Sequence, residues 1–144
     1  RTWCLGHASD EIHKIHDDVF KVHQTILHSI KINTPFREYQ VQTCDLFKTM
    51  GYDTIDDHPG LTEGYVHSLG HGLGLDVHEN PFCGMGSSEK DILKEGAVFT
   101  IEPGLYYPSK GLGVRIEDTV TMNEKGECEI LADFPYELVL PVKE

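Results

Sequence analysis

Residues 67–81 read His67-Ser68-Leu69-Gly70-His71-Gly72-Leu73-Gly74-Leu75-Asp76-Val77-His78-Glu79-Asn80-Pro81. The stretch holds three histidines, three glycines and two carboxylates. Each glycine costs about 1 kcal/mol in a helix relative to alanine, so an extended or looped backbone is predicted. Neutral imidazole binds divalent metals and carries protons near neutral pH. These histidines are therefore candidate site residues, and a glycine-rich turn with structural histidines is the alternative.

Two carboxylates follow in β-prone sequence. Glu102 ends the apolar run of residues 97–102 and directly precedes Pro103-Gly104. Residues 113–122 alternate with the period of two expected for a single strand. That period places Glu117 on the same face as Arg115, opposite the apolar residues. A glutamate in an apolar strand needs a cationic partner, which a metal ion or Arg115 would provide.

Two helices precede this region. The first is predicted from Asp10 to about Ser29, with Ser9 as N-cap. Its apolar stripe consists of Ile12, Ile15, Val19, Val22 and Ile26, and its four histidines, His13, His16, His23 and His28, are predicted to be solvated or at a boundary.

The second helix is predicted to begin at Pro35, with Thr34 as N-cap, and to end near Met50-Gly51. Its buried stripe is predicted to be Phe36, Tyr39, Thr43, Cys44 and Phe47.

Shorter strands complete the pattern. They are predicted within residues 1–6, 128–131 and 137–141, with a hairpin turn at residues 123–126. Two helices followed by an antiparallel sheet make an α+β fold. The 144 residues suffice for one domain with a core.

Composition narrows the possible partners. A formal net charge of −12 argues against a nucleic-acid groove, and no apolar run approaches the roughly 18 residues of a membrane span. The four cysteines lie far apart without a C-x-x-C pair. We therefore expect free thiols and a reducing, cytoplasmic compartment.

Three segments in this order resemble the pita-bread metallopeptidases, which include methionine aminopeptidase, Xaa-Pro aminopeptidase and Xaa-Pro dipeptidase (prolidase). The segments are His67 with His71-Gly-Leu-Gly, Ile-Glu102-Pro-Gly, and Arg115-Ile-Glu117-Asp. The last segment and the His67–His71 pair are most similar to the Xaa-Pro branch. The resemblance implies the second half of a pita-bread fold. Residues 1–144 would then be a partial catalytic domain that lacks its N-terminal half.

The resemblance also implies hydrolysis of the peptide bond before proline, by water activated between two divalent metal ions. His71 and Glu102 would bind one metal, Glu102 would also handle the proton of the attacking water, and Glu117 would bridge both metals. His67 and His78 would contact the substrate or stabilise the oxyanion. Arg115 would hold a carboxylate or assist proton transfer, with a structural ion pair as its alternative. An oxygen-rich set with one imidazole suits Mn²⁺ best, with Co²⁺ or Zn²⁺ as alternatives.

The chain departs from the family pattern in one respect. Two aspartate ligands of the family have no counterpart here, so we expect the isolated chain to be inactive. It would pair with a missing N-terminal half or self-associate to cover apolar sheet surface. The alternatives are a metal-free hydrolase similar to creatinase, a non-catalytic pita-bread binding module, and an α+β domain with structural histidines.

Overall fold

The computed structural model describes residues 1–142. Its elements in chain order are β1 (Cys4–Leu5), α1 (Asp10–Ser29), α2 (Arg37–Thr49), β2 (Gly70–Gly72), β3 (Glu79–Cys83), β4 (Val98–Ile101), β5 (Gly104–Tyr107), a 3₁₀ turn (Pro108–Lys110), β6 (Leu112–Arg115), β7 (Asp118–Met122), β8 (Cys128–Ile130) and β9 (Val139–Leu140). This order confirms the predicted α+β class.

The sheets are mostly antiparallel. The largest has five strands in the order β3-β2-β4-β7-β8, and every neighbouring pair in it is antiparallel. Strands β5 and β6 form an antiparallel pair, and β1 pairs in parallel with β9. The helices pack on the strands around one apolar core. Within the described residues, no helix is both long and apolar enough to span a membrane.

Helix α1 has the predicted bounds. The Ser9 hydroxyl accepts a hydrogen bond from the Ile12 N–H. Asp10 and Glu11 fall in the first turn, where negative charges interact favourably with the helix dipole. Four of the five stripe residues, Ile15, Val19, Val22 and Ile26, are buried, and Ile12 is half-buried.

The prediction for two histidines of α1 is wrong. His13 and His28 are exposed as expected, but His16 and His23 are buried. Their face of the helix packs against polar partners from later in the chain. His23 Nε2 lies 3.2 Å from Asp118 Oδ2, and His16 lies beside Tyr136. Long-range partners of this kind leave no periodic signal in the helix itself.

Helix α2 begins two residues later than predicted, at Arg37. The backbone of residues 34 and 35 pairs instead with the chain near residue 92. The Leu93 N–H donates to the Thr34 carbonyl at 3.1 Å, and Pro35 forms an isolated bridge with Ile92. The predicted stripe of Phe36, Tyr39, Thr43, Cys44 and Phe47 is buried throughout.

The single strand predicted over residues 113–122 is two strands in two different sheets. β6 pairs with β5, whereas β7 pairs with β4 and β8. The chain crosses between the sheets at Ile116 and Glu117, where the Ile116 N–H donates to the Pro103 carbonyl at 3.3 Å. The alternation of burial survives the break, because Val114, Ile116 and Val120 are all buried.

Candidate active site

Strand β2 carries His71 and runs between β3 and β4 at very close range. A Cβ on Gly70 would collide with the Thr100 carbonyl of β4, and a Cβ on Gly72 would collide with the Asn80 carbonyl of β3. Glycine at both positions lets the three backbones approach. This brings His71 beside Glu102, which directly follows β4 and whose N–H donates to the Leu69 carbonyl at 2.8 Å.

His71 lies against the Glu102 carboxylate. Its Nδ1 lies 2.9 Å from the Gly72 carbonyl oxygen. A carbonyl only accepts hydrogen bonds, so Nδ1 carries a proton. The other ring nitrogen, Nε2, lies 3.3 Å from Glu102 Oε1. A proton or a metal ion between these two atoms would join them.

Besides His71, two side chains lie against the Glu102 carboxylate. The Thr100 hydroxyl donates to Oε1 at 2.9 Å, and Arg115 Nε lies 3.6 Å from Oε2. Burial and the negative charge of Glu117 raise the pKa of Glu102, and Thr100, Arg115 and His71 only partly offset this. A raised carboxyl pKa suits a group that takes up and releases protons.

A cleft of about 330 Å³ brings together five of the six predicted site residues, namely His67, His71, His78, Glu102 and Arg115. The ring of His78, which is exposed, lies 4.2 Å from the ring of His71 between centroids. The histidine stretch and the two downstream segments therefore meet at one place.

The His67 ring is largely buried at the wall of the cleft. Its ring packs between Tyr65 and Tyr106, with centroid distances of 5.4 and 5.3 Å. Its Nδ1 lies 2.7 Å from the Ser68 carbonyl, while its buried Nε2 has no hydrogen-bond partner within residues 1–142. Burial lowers the pKa of His67 to about 4, so the ring is neutral at physiological pH.

Glu117, the sixth predicted residue, is not among the residues that line this cleft. It lies between β6 and β7 and lines a second cavity of about 340 Å³ together with Arg1 and Trp3. Its carboxylate is nevertheless close enough to raise the pKa of Glu102. In the part of the chain that the structure describes, no three His, Cys, Asp or Glu side chains are grouped to hold a metal ion.

The residues present fit a metal ion in part. Ligands of one metal ion lie about 2.0–2.2 Å from it, which places neighbouring ligands roughly 3 Å apart. The separation of His71 Nε2 and Glu102 Oε1 matches this. A cation there would also relieve the repulsion between Glu102 and Glu117. Within residues 1–142 the close donors are one imidazole and one carboxylate, and the Glu117 carboxylate is near enough to act on the charge of Glu102.

Two residues of the site were not predicted from the sequence. Thr100 links the two candidate ligands, because its hydroxyl accepts from the His71 N–H at 3.1 Å and donates to Glu102. Its position two residues before Glu102, on the same strand face, is a signal that could have identified it. Tyr106 lies beside His67, and the Arg115 guanidinium stands 5.6 Å from its ring centroid. Nothing in its local sequence indicates that contact.

Comparison with known proteins gives a consistent result. The model of metallopeptidase family M24 matches residues 1–124. The chain is 35% identical over 126 residues to an Xaa-Pro dipeptidase of Pyrococcus furiosus, covering 88% of this chain and 33% of that protein. It is 36% identical over 140 residues to an uncharacterized peptidase of Bacillus subtilis, covering 97% of this chain and 36% of the relative.

Solved structures match over nearly the whole chain. A prolidase from Thermococcus sibiricus has a TM-score of 0.81 at 32% identity, covering 99% of this chain and 35% of that one. An X-Pro aminopeptidase from Thermotoga maritima has a TM-score of 0.78 at 32% identity, covering 97% and 36%. The chain thus spans about a third of the length of the relatives that it matches.

Proposed function

The chain belongs to metallopeptidase family M24, and from this premise we propose that it is the site-bearing part of a peptidase that hydrolyses the bond before proline. Relatives named Xaa-Pro dipeptidase and prolidase support this substrate class. Two divalent metal ions, when bound, would supply an activated water and a polarised carbonyl.

Each site residue has a proposed role. His71 and Glu102 would hold one metal ion, and Glu117 would be a further ligand, shared with the second. Glu102 takes the proton of the attacking water, for which its raised pKa is suited. His78 and His67 contact the substrate. Arg115 fixes the second carboxylate oxygen of Glu102, to which it lies close.

The observation that carries the proposal is the pair formed by His71 and Glu102. An imidazole nitrogen faces a carboxylate oxygen at 3.3 Å, at the wall of a cleft lined by two further histidines and an arginine. This distance suits two ligands of one metal ion, and the other polar side chains of the cleft are placed to contact a peptide.

The remaining ligands come from outside this chain in our proposal. Three of the five groups that the resemblance implies are present, so further carboxylates from a preceding segment or a second polypeptide would complete the centre. We expect Mn²⁺ as the physiological ion. We expect the cytoplasm as the compartment, in keeping with the four free thiols.

Mn²⁺ binding to the purified 144-residue chain, followed by electron paramagnetic resonance, tests the proposal. We expect one weak site that is lost in His71→Ala and in Glu102→Gln. Matched changes at exposed positions, His58→Ala and Glu95→Gln, should leave it intact. The same preparation should not hydrolyse an Xaa-Pro dipeptide, because the metal centre is incomplete.

Two results would count against this function. Mn²⁺ binding that survives both site substitutions would place the ion elsewhere. An absence of binding in the wild-type chain at millimolar Mn²⁺ would contradict a metal site formed by His71 and Glu102 in this chain. Metal-dependent dipeptide cleavage would contradict only the expected inactivity.

A further inference from the structure

Gln40 of α2 is a fully buried polar residue at the back of the candidate site. Its Oε1 accepts from the Leu69 N–H at 2.6 Å and from the Tyr65 hydroxyl at 3.0 Å. Its Nε2 lies 3.3 Å from the His67 carbonyl oxygen, to which it donates. Burying an amide costs free energy unless its groups are paired, and here both ends are paired.

The backbone partners of Gln40 fix its orientation. An N–H only donates and a carbonyl only accepts. The Leu69 N–H therefore requires the amide oxygen, and the His67 carbonyl requires the amide nitrogen. Rotating the amide by 180° would break both hydrogen bonds. The side chain of one helix thus holds the backbone on both sides of Ser68.

The peptide unit between Ser68 and Leu69 connects this amide to the His67 ring. Gln40 binds the N–H of that unit, and the His67 Nδ1 binds its C=O at 2.7 Å. Hydrogen bonds in series polarise one another, so the acceptor at the N–H strengthens the carbonyl as an acceptor. The carbonyl in turn keeps the ring proton on Nδ1.

We propose that Gln40 is a positioning residue that, through the Ser68–Leu69 peptide unit, holds His67 as the Nδ1-protonated tautomer with an unprotonated Nε2 beside the cleft. Burial of the ring and the absence of a partner for Nε2 within residues 1–142 support this assignment. An unpaired buried acceptor is unfavourable, so a donor supplied by the bound substrate would be favourable there.

This assignment gives different roles to His67 and His78, the two histidines proposed to contact the substrate. In this state His67 accepts a hydrogen bond from an N–H or O–H of the substrate and cannot donate one to an oxyanion. The exposed His78 is left as the donor candidate. The division rests on the proposed function, since it treats the cleft as the peptide site, but the tautomer of His67 does not depend on that function.

Ring ¹H–¹⁵N correlation spectra of the metal-free 144-residue chain, with ¹⁵N-labelled histidine at neutral pH, test the proposal. His67→Phe identifies the His67 signals. We expect the wild-type ring to carry its proton on Nδ1. In Gln40→Met, which fills the space without hydrogen-bonding groups, we expect a mixture of tautomers.

Three variants separate this role from general support of the fold. Gln42→Met alters a half-buried glutamine of the same helix whose Oε1 accepts from the Ser29 hydroxyl, and it should retain the wild-type spectrum. Tyr65→Phe removes the other donor to Gln40 Oε1 and should also retain it. Gln40→Glu keeps an acceptor for the Leu69 N–H, so it should restore the Nδ1 tautomer.

A wild-type His67 protonated on Nε2 would overturn the proposal, even if Gln40→Met failed to fold. So would a Gln40→Met spectrum identical to that of the wild type, or the same change of tautomer in Tyr65→Phe. Because no metal or peptide is added, these outcomes are independent of the Mn²⁺ experiment. Either inference can fail while the other stands.

Discussion

His67 and His71 make the same local hydrogen bond. Each ring places Nδ1 against a backbone carbonyl of the same short stretch, Ser68 for the first and Gly72 for the second. The neighbouring carbonyl holds a proton on Nδ1, so Nε2 of each ring is directed to another partner. At His71 that nitrogen faces the Glu102 carboxylate, whereas at His67 it is buried without a partner in residues 1–142. The environment therefore gives two identical side chains different chemistry.

Burial of His67 should make the stability of the chain depend on pH. The pKa of His67 is about 4 in the folded chain, against 6.5 for an unperturbed histidine. Between these values the unfolded chain binds a proton that the folded chain does not, so stability is complete above pH 6.5 and falls towards pH 4. We expect His67→Phe to remove about 2 kcal/mol of that loss.

Urea unfolding at a series of pH values measures this effect. His58→Phe, at an exposed loop position, is the matched control and should keep the slope of the wild type. Equal slopes in wild type and His67→Phe between pH 6.5 and 4 would show that the buried ring is not the titrating group.

At the scale of elements, the decisive contact is the approach of β2 to β4. Strand β2 has three residues and pairs with β4 through a single register position, Gly72 opposite Phe99. Its neighbours nevertheless bring His71 and Glu102 together, because Thr100 bonds the backbone of one and the side chain of the other. The placement of the two candidate ligands thus depends on glycine at positions 70 and 72.

Gly70→Ala should therefore disrupt the site and the fold together. The added Cβ meets the Thr100 carbonyl, a backbone group that cannot move without shifting β4. We expect a loss of about 2 kcal/mol in the free energy of unfolding, measured by urea denaturation, and weaker Mn²⁺ binding.

Gly86→Ala provides the comparison for that change. A Cβ on Gly86 would meet no atom within 4 Å, so we expect a change smaller than about 1 kcal/mol. If both alanine variants lost the same stability, the close approach of β2 and β4 would not be the cause.

The elements differed in how far the sequence could predict them. Helix α1 has the bounds that its stripe and its Ser9 cap predict, since both signals are local. The start of α2 and the break between β6 and β7 were not predictable, because each depends on pairing with distant segments, residues 91–93 and β5 respectively. Period-two alternation passes through such a break without changing.

The same distinction holds for the site. His71 and Glu102 lie in short local segments that resemble the family, and the structure brings them into contact. Gln40 reaches the site through hydrogen bonds and Tyr106 through ring packing, both across the fold, and neither has a motif around it. Glu117 remains a predicted ligand: it lines a neighbouring cavity, and its charge raises the pKa of Glu102.

At the scale of the whole molecule, Asp118 joins segments that are far apart in sequence. Its Oδ1 accepts from Arg1 Nη2 at 2.7 Å, and its Oδ2 accepts from the Tyr136 hydroxyl at 2.5 Å and lies 3.2 Å from His23 Nε2. Burial would raise the pKa of Asp118, but the hydrogen bonds to these partners outweigh it and hold the pKa below its ordinary value. Arg1 also donates to the backbone carbonyl of Glu117, so this cluster helps to hold the backbone at that candidate ligand.

Because these groups share one carboxylate, their contributions to stability should be coupled. Tyr136→Phe and Asp118→Asn should each lower the free energy of unfolding by about 1–3 kcal/mol, since each leaves buried polar groups without a partner. The double variant should be less destabilised than the sum of the two, with a coupling of about 1 kcal/mol or more. Urea unfolding of the four proteins at neutral pH completes the cycle. Strict additivity would mean that Tyr136 stabilises the chain through its ring, which lies 4.1 Å from the Arg1 guanidinium, rather than through Asp118.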